Sequence, residues 1–136
     1  MSHTPFLNVI PQRHKMDCSV ACLAMLLGKS YEEALMAYDY NVMREGATIR
    51  QVKAAAKWLG VPLAWSRKVG DLETETGILC VRTAKWPNDH LVVLKDSMII
   101  DTDATIWDYD VYLAAYEAHP ISIMRIEDEE THGSTD

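Results

Sequence analysis

The spacing of apolar residues changes at Gly60, and this change limits the folds open to the chain. Before Gly60, apolar side chains recur every three or four residues, as on the buried face of an α-helix. After Gly60, short runs rich in β-branched residues predominate, and such runs are typical of buried strands. The sequence therefore predicts an α+β domain in which N-terminal helices pack against a C-terminal antiparallel sheet.

Capping residues mark three helices in the first half of the chain. An aspartate, a serine or a threonine precedes each apolar run, where its side chain can accept a hydrogen bond from the first turn. Ser30 is the clearest of these caps, because Glu33 lies three residues later and completes a capping box. The predicted helices cover residues 18–27, 30–41 and 49–59.

Short apolar runs mark the strands of the second half. The segment Lys95–Ser97 between two such runs is too short for a crossover, so these runs must form an antiparallel hairpin. A last helix is predicted from Asp108 or Asp110 to about Glu117. The predicted strands cover residues 61–65, 77–83, 91–94, 98–101 and 121–126, and residues 6–10 are also β-compatible.

Composition and charge limit the partners and the location of the chain. The formal net charge of -7 leaves no broad basic surface, which argues against nucleic acid as a partner. The sequence has no signal peptide, no apolar run of the roughly 18 residues that span a bilayer, and too few cysteines for a disulfide framework. We therefore expect a cytoplasmic protein with one domain over residues 1–126 and an acidic, disordered tail over 127–136.

Cys18 differs from the other two cysteines because it lies at a predicted helix start. With Asp17 as N-cap, the thiol lies in the first turn, where unpaired N–H groups and the helix dipole stabilise a thiolate. Cys22 and Cys80 fall within apolar runs and are predicted core residues. We expect neither a metal site nor a cofactor, because the cysteines lack the CxxC spacing of zinc knuckles and the sequence offers no fourth ligand.

His90 is the predicted base that activates Cys18. A cysteine thiol with a pKa near ~8.5 is only a few per cent thiolate at neutral pH, so a nucleophilic cysteine needs a base or a neighbouring cation. Among the five histidines, His90 alone stands at the mouth of a buried strand.

An aspartate in the same hairpin is expected to orient the His90 imidazole. A turn at 95–96 places Asp101 opposite His90, and a turn at 96–97 places Asp103 there. Either carboxylate would bind one ring nitrogen and fix the tautomer. Asp101 is favoured because it continues an apolar strand.

Two further residues are candidates for substrate contact. Gln12, six residues before Cys18, would place a side-chain amide beside the Cys18 N–H, so that both donate to an oxyanion. Trp86 lies in the loop before His90. It would either wall the cleft and bind an extended peptide or simply pack against the fold.

These residues carry a resemblance to a known family. Gln12, four intervening residues and the run Asp17–Gly28, with His90–Leu94 and Ile100–Asp101 later, resemble the bacteriocin-processing cysteine peptidases. Members of that family are papain-like domains that cut double-glycine leader peptides and are usually fused to an ABC exporter. The three blocks stand in the family's order between about Val9 and Ile126.

The resemblance implies a fold, an activity and a role for each site residue. The fold would be papain-like, and the chain would be a thiol hydrolase that cleaves a peptide amide through an acyl-enzyme, after small residues such as Gly-Gly. Since the chain ends about ten polar residues after the domain, we expect any exporter partner to be a separate protein. The implied roles are Cys18 as nucleophile, His90 as general base and acid, Asp101 as orienting residue and Gln12 as oxyanion donor.

Two positions depart from the family pattern. Ser19 stands where the family usually has glycine, and its side chain is expected to alter how closely a substrate backbone approaches the nucleophile. Thr102 stands where the family usually has proline, which frees a backbone N–H and is expected to leave the turn after Asp101 less rigid.

Two alternative functions remain open at the level of sequence. The same triad would also act on an isopeptide, a thioester or a side-chain amide. A chain that kept the fold without turnover would instead be a peptide-binding module for a peptide or protein ligand.

Overall fold

The computed structural model describes residues 8–127. Its elements confirm the predicted order of helices followed by strands, with one helix inserted before the last strand. In chain order they are α1 (Cys18–Leu27), α2 (Tyr31–Met36), α3 (Val42–Glu45), α4 (Ile49–Trp58), β1 (Leu63–Ser66), β2 (Thr76–Arg82), β3 (His90–Lys95), β4 (Met98–Ile100), β5 (Ile106–Asp108), α5 (Tyr109–Tyr116) and β6 (His119–Ile126).

The six strands form one antiparallel sheet with the order β1-β6-β2-β3-β4-β5. Side chains of β2 alternate between the two faces. Ile78 and Cys80 pack into the cluster that contains α1, whereas Leu79 and Val81 pack into the cluster that contains Tyr112 of α5. The sheet is therefore covered by α1 on one face and by α5 on the other.

Helix α1 is the central helix of the fold. Its residues from Ser19 to Leu26 are all buried, and it packs across β2 and β3. Gly28 ends the helix with a left-handed φ of 68°, as predicted, and donates its N–H to Ala24 O. The first turn of α1, with Cys18, is thereby directed at the end of the sheet where β3 begins.

The predicted second helix is too long. The capping box of Ser30 and Glu33 is present, but α2 ends at Met36 and a separate helix, α3, follows. The residues between α2 and α3 make tertiary contacts in place of helical hydrogen bonds. Tyr38 is buried, and the Tyr40 hydroxyl donates to Gly46 O at 2.7 Å. These contacts require the chain to turn, whatever the local helix propensity.

The structure describes only part of the two predicted terminal segments. Residues 8–10 form no strand, and the rest of the β-compatible segment lies outside the described residues. Strand β5 was not predicted, because only one of its three residues is even partly buried. Glu127, the first residue of the predicted tail, donates its N–H to Pro62 O at 3.0 Å, and the remaining tail lies outside the described residues.

Within residues 8–127, no helix has the length and apolar character needed to cross a membrane.

Candidate active site

An open cleft of about 860 Å³ lies at the first turn of α1. Most of its lining comes from four parts of the chain: the loop before α1 with the start of that helix, residues 45–51, the segment around the start of β3, and the turn after β4. The fold thus brings together side chains that are far apart in sequence. All six predicted site residues line this cleft, namely Gln12, Cys18, Ser19, Trp86, His90 and Asp101.

The Asp101 carboxylate binds the His90 imidazole. His90 Nε2 lies 2.8 Å from Asp101 Oδ1, which also accepts the Thr102 N–H at 2.7 Å. Asp101 Oδ2 accepts the Tyr112 hydroxyl at 3.0 Å. An ionised carboxylate only accepts hydrogen bonds, so Nε2 carries the proton, and Nδ1 is the nitrogen left to accept a proton from Cys18.

The charges of this group stabilise the protonated imidazole. Burial lowers the pKa of His90, but the hydrogen bonds and negative charges of Asp101 and Cys18 outweigh it and raise that pKa to about 9. Burial likewise raises the pKa of Asp101, and the hydrogen bond and charge of His90 hold it below its usual value. At neutral pH the site therefore favours an imidazolium between the Asp101 carboxylate and the Cys18 sulfur.

The hairpin has the second of the two registers that the sequence left open. The turn is made by Asp96–Ser97, and both residues have positive φ values, 50° and 67°. Extended along the strands, this register would place Asp103 opposite His90. The bound carboxylate is nevertheless that of Asp101, the residue favoured because it continues an apolar strand.

Asp101 reaches His90 because β4 ends directly before it. Residues two apart on a strand share a face, so Asp101 lies on the face of His90, two residue pairs nearer the turn. The chain then bends toward β5, and Asp103 Oδ1 accepts the Thr105 N–H at 3.1 Å instead. The aspartate that stays with the strand is therefore the one within reach of the imidazole.

Gln12 is tied to the turn after β4. Its N–H donates to Thr102 O at 2.8 Å, and its Oε1 accepts the Thr102 hydroxyl. Its Nε2 donates to the carbonyl oxygens of His14 and Lys15. Both amide hydrogens are thus held by the loop, and donation to an oxyanion beside Cys18 requires one of them to turn into the cleft.

Asp17 does not cap α1 with its side chain, contrary to prediction. It occupies the N-cap position, but its buried carboxylate accepts the N–H groups of Arg13 and His14, each at 3.0 Å, and the Tyr31 hydroxyl. The carboxylate therefore organises the loop that carries Gln12. The first N–H groups of α1 donate no hydrogen bond to this carboxylate.

The comparison with protein families identifies this arrangement. The model of the family described as "Peptidase C39 family" matches residues 7–111, more than half of the chain. The chain belongs to the peptidase C39 family. It is a cysteine peptidase by that membership, and the match includes Cys18, His90 and Asp101. Among curated proteins, the C39 peptidase has no match.

Two solved structures share the fold of this C39 peptidase. The peptidase domain of Streptococcus ComA, a bi-functional ABC transporter of a quorum-sensing pathway, is 20% identical, with a TM-score of 0.64 over 90% of this chain and 100% of that one. The peptidase domain of Streptococcus mutans ComA is 20% identical, with a TM-score of 0.62 over 88% and 98%. At this identity the likeness establishes the fold.

Ser19 of the C39 peptidase lines the cleft but is almost fully buried. The residue is 1% exposed, and its side-chain hydroxyl is buried and has no hydrogen-bond partner among residues 8–127. Because this hydroxyl is buried, any effect of Ser19 on how closely a substrate backbone approaches Cys18 must come from the position of the Ser19 main chain. Its hydroxyl does not face the open part of the cleft.

Trp86 contacts the His90 imidazole directly. Its ring lies 5.0 Å from the His90 ring at 68° and 5.1 Å from the Tyr116 ring. These edge-to-face and tilted contacts limit the orientations that the imidazole can adopt. Trp86 also lines the cleft, so both interpretations of this residue from the sequence, packing and cleft wall, describe its position.

The other two cysteines are buried in the core, as predicted. Burial raises the pKa of Cys22 well above its usual value and that of Cys80 to about 11. Both thiols are thus held in the neutral form. Across the described part of the chain, no three histidine, cysteine or carboxylate side chains are grouped so as to hold a metal ion.

Sequence reasoning missed Tyr112. It lies in the predicted last helix, but the pattern of that helix does not tell which strand end it covers. Tyr112 is fully buried, and its hydroxyl reaches Asp101 from the face of the sheet opposite α1. This contact depends on the packing of α5 against the sheet, so it could be recognised only from the three-dimensional structure.

Proposed function

We propose that this C39 peptidase hydrolyses a peptide bond through an acyl-enzyme on Cys18, with His90 as base and acid and Asp101 as the orienting carboxylate. The observation that carries the proposal is the position of His90, which binds Asp101 through Nε2 at 2.8 Å and lines the same cleft as Cys18. Nucleophile, base and orienter in this order are the parts that thiol hydrolysis needs.

In the first half-reaction, Cys18 gives its proton to His90 Nδ1, and Cys18 Sγ then attacks the scissile carbonyl carbon. The carbonyl π electrons move onto the oxygen. Collapse of this intermediate breaks the C–N bond, and His90 gives the proton to the leaving amine. A thioester on Cys18 remains. Water then attacks the thioester, His90 accepts a proton from the water, the C–S bond breaks, and the proton returns to the thiolate as the acid leaves.

Donors for the oxyanion come from two sources. The Cys18 N–H lies in the first turn of α1, where helix N–H groups have no intrahelical partner. The Gln12 amide lines the same cleft and would supply a second donor after one hydrogen leaves its loop carbonyl. Gln12 is accordingly proposed as an oxyanion donor that the substrate recruits.

The proposed substrate is an extended peptide with Gly-Gly before the scissile bond. Support comes from the resemblance to leader-cleaving peptidases and from the open cleft, which is lined by segments 45–49 and 86–91. A peptide in this cleft would touch both segments. We further propose action in the cytoplasm on the leader of a peptide that a separate exporter carries.

Cleavage of defined peptides tests this function. Internally quenched peptides containing Gly-Gly should be cut after the second glycine, as determined by mass spectrometry, while matched Leu-Leu peptides should stay intact. Cys18→Ala should abolish cleavage. Hydrolysis of isopeptide-linked or thioester-linked probes without cleavage of any Gly-Gly peptide would instead assign the triad to those bonds. Binding of the peptides without turnover of any probe would indicate a binding module.

A further inference from the structure

Thr102 contacts both halves of the candidate site. Its N–H donates to Asp101 Oδ1 at 2.7 Å, and its carbonyl oxygen accepts the Gln12 N–H at 2.8 Å. Its hydroxyl donates to Gln12 Oε1 and lies 3.4 Å from His90 Nε2. The residue is 2% exposed, so these contacts are shielded from water. The N–H that threonine provides where the family usually has proline therefore donates to the carboxylate that binds His90.

We propose that Thr102 is a positioning residue that couples Gln12 to the His90–Asp101 pair. The proton on His90 Nε2 is taken by Asp101, so the Thr102 hydroxyl proton is available to Gln12 Oε1. This bond fixes which end of the Gln12 amide faces the turn. The NH₂ end is therefore directed away from Thr102, toward the loop and the cleft.

The Thr102 hydroxyl matters most when a substrate is present. In the free protein, the carbonyls of His14 and Lys15 also hold the Gln12 amide. An oxyanion that draws one amide hydrogen into the cleft breaks one of those bonds. The bond from Thr102 to Oε1 is retained, and it keeps the amide from rotating its oxygen toward the developing negative charge.

This inference rests on the proposed function, because it assigns Thr102 a role only if Gln12 serves an oxyanion. The main chain of Thr102 would be retained in any variant other than proline. Thr102→Val removes the hydroxyl and keeps the shape and the N–H, whereas Thr102→Ser keeps the hydroxyl. Comparison of the two variants separates the hydroxyl from the fold of the turn.

Acylation of Cys18 by p-nitrophenyl acetate provides a test that needs no knowledge of the natural substrate. The Cys18 proton passes to His90, Cys18 Sγ gains the acetyl group, p-nitrophenolate leaves with the bond electrons, and the reaction passes through an oxyanion. Thr102→Val should slow the burst of p-nitrophenolate about tenfold, the order expected for one hydrogen bond. Thr102→Ser should restore most of the rate.

A double-mutant cycle shows whether Thr102 acts through Gln12. If it does, Gln12→Ala and the double variant Gln12→Ala/Thr102→Val should be acylated at the same rate, because the hydroxyl has lost the group that it positions. Alkylation of Cys18 by iodoacetamide forms no oxyanion and should be unchanged in Thr102→Val. Independent, multiplying losses, or equal losses in acylation and alkylation, would overturn the coupling.

A spectroscopic measurement tests the positioning apart from any reaction. In ¹H–¹⁵N spectra, the side-chain NH₂ signals of Gln12 should shift and exchange faster with water in Thr102→Val, and should keep their wild-type values in Thr102→Ser. Unchanged Gln12 signals in Thr102→Val would refute the inference even if the protein cleaves peptides. Changed signals together with a wild-type protein that p-nitrophenyl acetate does not acylate would instead refute the proposed function.

Discussion

The Tyr112 hydroxyl donates to Asp101 Oδ2 at 3.0 Å from the face of the sheet opposite the nucleophile helix. The carboxylate that binds His90 is thus held by two elements, β3 and α5. A buried carboxylate that loses one of its donors is left undersolvated. The packing of α5 on the sheet therefore supports the active site, because it places the Tyr112 hydroxyl against Asp101.

Tyr112→Phe tests this contact, because it removes the hydroxyl and keeps the ring in its aromatic cluster. We expect the free energy of unfolding to fall by about 1.5–3 kcal/mol, the range for a hydrogen bond to a charged group. Urea denaturation at pH 7 measures it. Tyr109→Phe on the same helix is the matched control, since Tyr109 makes no side-chain hydrogen bond among residues 8–127. Equal losses in the two variants would contradict the account.

The stability of the protein should depend on pH through His90. Its pKa is raised to about 9 from an ordinary value of 6.5, so the folded state binds the proton more tightly than the unfolded state. This contribution is complete below pH 6.5 and is lost as the pH rises through 9. A shift of this size corresponds to at most about 3 kcal/mol.

Urea denaturation between pH 6 and 9.5 measures this loss. The wild type should lose stability over that range, and His90→Gln should show a much flatter profile. Titratable groups near the imidazole are Asp101, Cys18 and Asp89, and Asp89 is paired with Arg82 at 2.8 Å. A wild-type slope that persists in His90→Gln would assign the dependence to one of those groups.

Asp17→Asn should weaken the loop that carries Gln12. The carboxylate accepts two backbone N–H groups and the Tyr31 hydroxyl, and an amide can accept with only one of its two ends. We expect a loss of about 1–3 kcal/mol in the free energy of unfolding, measured by urea denaturation. Tyr31→Phe removes one of the three donors and should cost less. A larger loss for Tyr31→Phe than for Asp17→Asn would contradict this view.

Features specified by neighbouring residues could be predicted from the sequence. The capping box of Ser30 and Glu33 and the stop at Gly28 depend on contacts within a few positions, and both are present. The side-chain partners of Asp17 could not be predicted, because capping rules do not reveal that Tyr31 and the preceding loop compete for its carboxylate.

The contacts of the site depend on longer-range packing. The pairing of His90 with Asp101 depends on where β4 ends, and turn chemistry alone pointed to two registers. Tyr112 reaches Asp101 only because α5 covers the far face of the sheet. Residue types and chain order were therefore sufficient to predict the principal side chains of the site, while their supporting contacts required the fold.

The rate of Cys18 alkylation by iodoacetamide tests the central claim, that His90 activates this thiol. Cys22 and Cys80 are buried, so faster labelling of Cys18 than of these two would follow from access alone. The decisive comparison is therefore between wild type and His90→Ala at pH 6, with the Cys18 peptide quantified by mass spectrometry. We predict that the wild-type rate exceeds the variant rate by at least about tenfold, because His90 provides a cation beside the thiol. Equal rates in the two proteins would contradict the account.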